Sequence, residues 1–133
     1  MGLGEACRLA EKNLENHIQY LKNIRDYYEQ KVLQEIPNVK INGSRDKRLP
    51  GNSNISFRDI DAQELLFKLD ELGICASSGS ACNTGTNSPS HVLTAIGLTA
   101  EEAKGALRTT FGEKNTFEDI DYLVESLKKI IKT

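Results

Sequence analysis

The segment ASSGSACNTGTNS, residues 76–88, sets one cysteine, Cys82, among small and polar residues. An ionised thiol is a strong nucleophile, so a cysteine kept out of an apolar core is a candidate for covalent sulfur chemistry. Gly79 and Gly85 flank it and free the backbone on either side. Ser77, Ser78, Ser80 and Ala81 supply no large apolar anchor. Structureless stretches of this length are uncommon in compact domains and usually functional, so residues 77–88 are expected to form a mobile loop carrying the reactive cysteine. The plain alternative makes Cys82 a small filler in a surface turn. Cysteine's habit of burial speaks against it, but composition does not separate the two.

Arg108 is the second candidate. In the strand expected over 106–111, period-two alternation puts Leu107, Thr109 and Phe111 on one face and Arg108 and Thr110 on the other. A guanidinium so close to a reactive loop can grip a carboxylate through two parallel hydrogen bonds; an outward-facing surface arginine is the alternative. Cys75 ends an apolar run and Cys7 lies early in a helix, where buried structural roles are expected. His91 falls near the start of a helix, which suits a surface or capping role, and His17 lies beside an apolar stripe, where packing is the default. Three cysteines do not all pair within one chain, and their spacing matches neither a zinc ribbon nor a C-x-x-C pair, so free thiols in a reducing compartment and no metal are expected.

These residues need a scaffold. Over residues 3–36 apolar side chains recur at helical spacing, from Leu3, Ala6, Ala10 and Leu14 to Ile24, Tyr28 and Val32, and Pro37 stops the helix. At ~1.5 Å per residue it spans roughly 50 Å, more than a domain of this size needs, so part of it is expected to pack on something outside the chain. Short strands are expected over 39–41, 53–58 and 74–76, with a turn at Asn42-Gly43. Asp61, with Glu64 in the capping-box position, opens a helix whose buried side is Leu65, Leu66, Leu69 and Leu72 and which Gly73 ends. Pro89 starts a helix over 89–96 closed by Gly97, Thr99 with Glu102 caps another, and Thr116 caps the last, with its stripe Ile120, Leu123, Val124, Leu127 and Ile131. The order implies an α+β fold, a single domain over 1–133, with helices covering one face of a small, mainly antiparallel sheet.

Composition narrows the functions. A hydrophobic content of 38% in 133 residues suffices for one modest core. With 17 Lys and Arg against 19 Asp and Glu, a net charge of −2, and no basic stripe with interleaved aromatics, no nucleic acid is expected as partner. No apolar run approaches the roughly 20 residues that cross a bilayer and no secretory pattern opens the chain, so a soluble intracellular protein and no membrane contact are expected.

Four stretches carry a resemblance. SSGSAC at 77–82, PSHVLTAIGL at 89–98, ALRTTFG at 106–112 and RLPGNSNISF at 48–57 resemble the C-terminal part of NifS/IscS-type cysteine desulfurases, pyridoxal-phosphate enzymes of fold type I, in the family's order and over nearly all of the chain. The opening GLGEA resembles the segment that leads into the helix linking the two domains, which would make 2–36 the linking helix and Met1 an added start residue. The resemblance implies that Cys82 takes sulfur from L-cysteine as a persulfide while L-alanine leaves, and that Arg108 binds the substrate carboxylate. It further implies a homodimeric cytoplasmic enzyme serving a sulfur acceptor or iron-sulfur scaffold protein. The family's cofactor lysine follows a histidine in the large N-terminal domain, and no His-Lys pair occurs here. The chain is therefore expected to be a fragment without that domain, inactive alone and without bound pyridoxal phosphate. A stand-alone sulfur carrier, a docking module in which Cys82 is incidental, and a related lyase acting on another amino acid are the competing readings.

Overall fold

The computed structural model describes residues 2–78 and 90–132. The first helix, α1 (Gly2–Glu35), ends just before Pro37, and Asn38 at φ 57° turns the chain into the first strand. Its apolar stripe is divided. Ile24, Tyr28 and Val32 are fully buried, whereas Leu3, Leu14 and Ile18 are exposed, so among the described residues α1 joins the core through its C-terminal half.

That half lies against a three-stranded antiparallel sheet of β1 (Val39–Ile41), β2 (Asn52–Phe57) and β3 (Ala106–Thr110), in the order β1-β2-β3. The register pairs Ile55 with Leu107 and Asn54 with Arg108. Side chains alternate along strands and paired residues share a face. Ile55, Phe57, Leu107 and Phe111 therefore point into the core, where they meet α1, Leu65 and Leu69 of α2 (Ala62–Glu71), and Ile120, Val124 and Leu127 of α5 (Phe117–Ile131). Between α1 and α5, Asp121 accepts from the Tyr27 hydroxyl at 2.7 Å and from Lys31 at 2.6 Å, and Glu35 accepts from Lys128 at 2.7 Å.

Sequence reasoning puts helices on one face of the sheet; the structure uses both. The short helices α3 (His91–Ala95) and α4 (Ala100–Lys104) cover part of the outer face, where Leu93 and Leu98 pack on Ala106, a small apolar residue at an outward position. Ser56 Oγ donates to the Glu102 carbonyl at 2.8 Å, and Lys40 pairs with the Glu102 carboxylate at 2.7 Å. Lys40 and the Thr99 N–H hold that carboxyl below the usual range. Gly105 makes the approach possible, since a Cβ there would lie 2.1 Å from the Phe57 carbonyl oxygen.

Smaller departures have local causes. Residues 74–76 form no strand, because the Ile74 N–H still bonds the Leu69 carbonyl at 2.9 Å around Gly73, at φ 75°. Leu72 is accordingly exposed rather than buried. Asp61 caps α2 through the Gln63 N–H at 2.9 Å, while Glu64 turns outward to Lys68 at 2.8 Å instead of closing a capping box. Thr99 and Thr116 do close theirs. Ser90 is the N-cap of α3, and Pro89 lies outside the described residues. Among the described residues no helix is long and apolar enough to cross a membrane.

Candidate active site around Arg108

Arg108 sits in the middle of β3, half-buried on the outer face of the sheet. On the side away from β2, and among the described residues, β3 pairs with Ser77: the Ser77 N–H donates to the Arg108 carbonyl at 3.0 Å and the Arg108 N–H donates back at 2.6 Å. Paired residues share a face, so the side chains meet as well, with Arg108 Nη2 donating to Ser77 Oγ at 3.3 Å. Ser77 lies five positions ahead of Cys82, and five residues of chain reach at most roughly 18 Å. Among the described residues no carboxylate pairs with Arg108. A half-buried guanidinium with five donors and no carboxylate partner among the described residues can hold an anion.

Two cavities meet at this side chain. One, of about 230 Å³ between the outer face and α3, is lined by Arg108, Asn42, Arg48, Asn52, Asn54, Ser90, Val92 and Ile96. The other, of about 400 Å³, is lined by Leu21, Leu49, Pro50, Asn52, Arg108 and Thr110. Among the described residues no acidic side chain lines either, so a carboxylate entering them meets donors without repulsion. Arg48 is already engaged. Its Nη1 donates to Glu29 at 3.2 Å and its Nη2 to the Asn42 carbonyl, and Glu29, 1% exposed, also accepts from Ser53 Oγ at 2.8 Å.

Of the candidates named from sequence, Ser77 and Ser78 are half-buried, Ser77 against Arg108, while Gly79, Ser80, Ala81, Cys82 and Gly85 lie outside the described residues. Two expectations are corrected. Cys7 and Cys75 are exposed rather than buried: Cys7 lies in the first turns of α1, where residues 2–12 are all exposed, and Cys75 lies where strand pairing has not begun. His17 does not simply pack; its Nε2 meets Glu113 at 2.9 Å. His91 is exposed at the first position of α3. Sequence reasoning missed Glu29, Arg48, Asn42 and Asn54. A signal was present, since asparagine is depleted in strands and two of them at alternate positions, Asn52 and Asn54, share the face of Arg108.

The sequence profile of the family described as Aminotransferase class-V matches residues 1–123. The chain belongs to this family. Within it, the chain is 48% identical over 134 residues to Cysteine desulfurase IscS of Clostridium botulinum, covering 99% of this chain and 34% of that one. It is 39% identical over 132 residues to Cysteine desulfurase IscS of Dictyoglomus turgidum, covering 99% and 34%. A solved NifS-like protein from Rickettsia africae superposes with a TM-score of 0.84 at 33% identity, covering 99% of this chain and 34% of that one. The apo cysteine desulfurase of Thermococcus onnurineus shares the fold, at TM-score 0.70 and 15% identity. This class-V chain thus spans about a third, 34%, of the length of the curated relatives it matches.

Pyridoxal phosphate, which the resemblance implies, requires a lysine facing its ring. Among the described residues none lines the cavities beside Arg108. Five of the eleven lysines, Lys31, Lys40, Lys68, Lys104 and Lys128, are moreover paired with carboxylates. The described residues therefore do not by themselves fit the cofactor, and no chemical step is assigned to it on this chain.

Proposed function

We propose that this chain supplies the sulfur-accepting and carboxylate-binding part of a cysteine desulfurase, acting with a pyridoxal-phosphate-binding domain that lies outside these residues. The observation that carries the reading is Arg108: a half-buried guanidinium without a carboxylate partner among the described residues, bonded to the residue that leads towards Cys82. In this reading Arg108 holds the carboxylate of L-cysteine. The Cys82 thiolate forms a bond to the substrate sulfur as its bond to Cβ breaks, and protonation of that carbon completes L-alanine, leaving a persulfide on Cys82. A segment rich in Gly and Ser suits a sulfur that must be collected at one place and delivered at another.

Residues 1–133 then act as a single small domain, with α1 as the linking helix and 77–88 as the cysteine loop. Exposed Leu3, Leu14 and Ile18 support the first assignment, because they make a stripe that a cofactor-binding domain would cover. A sulfur-acceptor or iron-sulfur scaffold protein, a homodimeric whole enzyme and a reducing cytoplasm belong to the same proposal, the last because Cys82 must stay a free thiol between turnovers.

The test is a chimaera in which residues 2–133 replace the matching third of the C. botulinum relative. Incubated with L-cysteine, it should release L-alanine and carry sulfane sulfur on Cys82 by peptide mapping. Cys82→Ser should abolish both. A chimaera that folds and is inactive, or one whose Cys82→Ser form keeps full activity, refutes the proposal.

A further inference from the structure

The pairing of β2 with β3 places Asn54 directly opposite Arg108 on the outer face of the sheet. Side chains so placed have Cβ atoms about 5 Å apart, within reach of a shared ligand. We propose that Asn54 is a second ligand of the carboxylate that Arg108 binds, and that the buried Asn42 positions it. This rests on the reading of Arg108 as a carboxylate site.

A chain of hydrogen bonds, its direction fixed at its far end, sets how the Asn54 amide lies. Ser56 Oγ spends its hydrogen on the Glu102 carbonyl at 2.8 Å, so towards Asn42 it can only accept. Asn42 Nδ2 supplies that donor at 2.8 Å and gives its other hydrogen to Asn54 Oδ1 at 2.7 Å. Asn42 has no freedom to turn: it is 2% exposed, its backbone N–H donates to the Asn54 carbonyl at 2.8 Å, and its own carbonyl accepts from Arg48. The carbonyl end of the Asn54 amide is therefore held inward, and its NH₂ end has no hydrogen-bond acceptor among the described residues.

Asn54 and Arg108 line the same cavity. Arg48 lines it too, but its charge is already balanced by Glu29. The two side chains thus offer a cationic fork and a fixed neutral donor to one ligand. A carboxylate has two oxygens in a plane, so Arg108 and Asn54 can share it. The class of ligand is a small α-amino acid or other short-chain carboxylate.

L-alanine is the probe, titrated into the 133-residue chain while the Arg108 Nε–H and Asn54 Nδ2–H₂ signals are followed by NMR. Both should shift along one saturation curve, and alaninamide, which lacks the carboxylate, should move neither. Asn54→Ala should weaken binding roughly tenfold, the loss of one hydrogen bond to a charged group. Asn54→Asp, the same shape with the donor replaced by a negative charge, should abolish the Arg108 shift. Asn42→Ser should weaken binding even though Asn54 is intact, because the amide is then free to turn; the dispersion of the remaining signals shows whether each variant is folded. If Arg108 shifts in the parent protein but the folded Asn54 variants titrate with unchanged affinity, the role of Asn54 is overturned and the Arg108 reading stands. If alanine leaves Arg108 unmoved in the parent protein, the carboxylate reading of Arg108 fails and this inference falls with it.

Discussion

Replacing Glu29 by Gln should destabilise the chain more than any other single change of charge among the described residues. Glu29 is 1% exposed, and its Oε1 accepts from Ser53 Oγ at 2.8 Å and Arg48 Nη1 at 3.2 Å. Glutamine keeps the shape and the carbonyl acceptor for Ser53 but removes the charge opposite Arg48, whose side chain is 11% exposed. Removing one member of a buried pair typically costs 3–5 kcal/mol, because the remaining charge is desolvated without compensation. Arg48 keeps one edge near water and the Asn42 carbonyl, which points to the lower end, about 3 kcal/mol. Arg45, at 3.6 Å and 60% exposed, adds little. For a domain of this size a loss of about 3 kcal/mol lowers Tm by roughly 10–15 °C. The assay is urea unfolding followed by circular dichroism, run as a cycle with Arg48→Met. The double variant no longer buries an unpaired charge, so it should cost about 2 kcal/mol less than the sum of the singles. A loss below about 0.5 kcal/mol for Glu29→Gln, the range of surface changes, or additivity in the cycle would mean that Glu29 and Arg48 are not a coupled buried pair.

In the chimaera, Arg108→Lys should raise KM for L-cysteine roughly tenfold to a hundredfold, since an ammonium loses the bidentate fork; unchanged kinetics would make Arg108 an ordinary surface residue. Gly105→Ala should cost about 3 kcal/mol or more in urea unfolding, because the new Cβ would lie 2.1 Å from the Phe57 carbonyl oxygen and neither backbone can yield; a normal urea midpoint would contradict the close approach. The carboxyls of Glu35, Asp61, Glu102 and Asp121 are held below their ordinary values, first of all by Lys128, the Gln63 N–H, Lys40 and Lys31 respectively. Their folded values lie below the unfolded ones, so the stabilisation is complete above the unfolded carboxylate range and is lost as pH falls through the depressed values. The urea midpoint should stay level from pH 8 to about 5 and fall below about pH 4; a level midpoint down to about pH 3 would show that these pairs contribute nothing.

Much of this molecule is legible in its sequence, where local rules dominate. Pro37 and Gly73 end helices for steric reasons that need no partner, Thr99 and Thr116 cap helices through bonds within one turn, and the alternation in β3 separates Arg108 from Leu107 and Thr109. The family, and with it the interest of Cys82 and Arg108, is carried by contiguous runs such as SSGSAC and ALRTTFG. What periodicity does not contain is which half of a uniform stripe finds a partner: Leu14 and Ile24 read alike in α1, yet one is exposed and the other buried. Nor does it show that Glu29 and Arg48, 19 positions apart, form one buried pair, or that Ser77 crosses 31 positions to bond Arg108. The polar relay from Ser56 through Asn42 to Asn54 depends on strand register, and register is a property of paired strands. Sequence names the groups able to do chemistry because that ability belongs to single residues; tertiary structure decides which of them face one another, because distance in space is set by the packing of the whole chain.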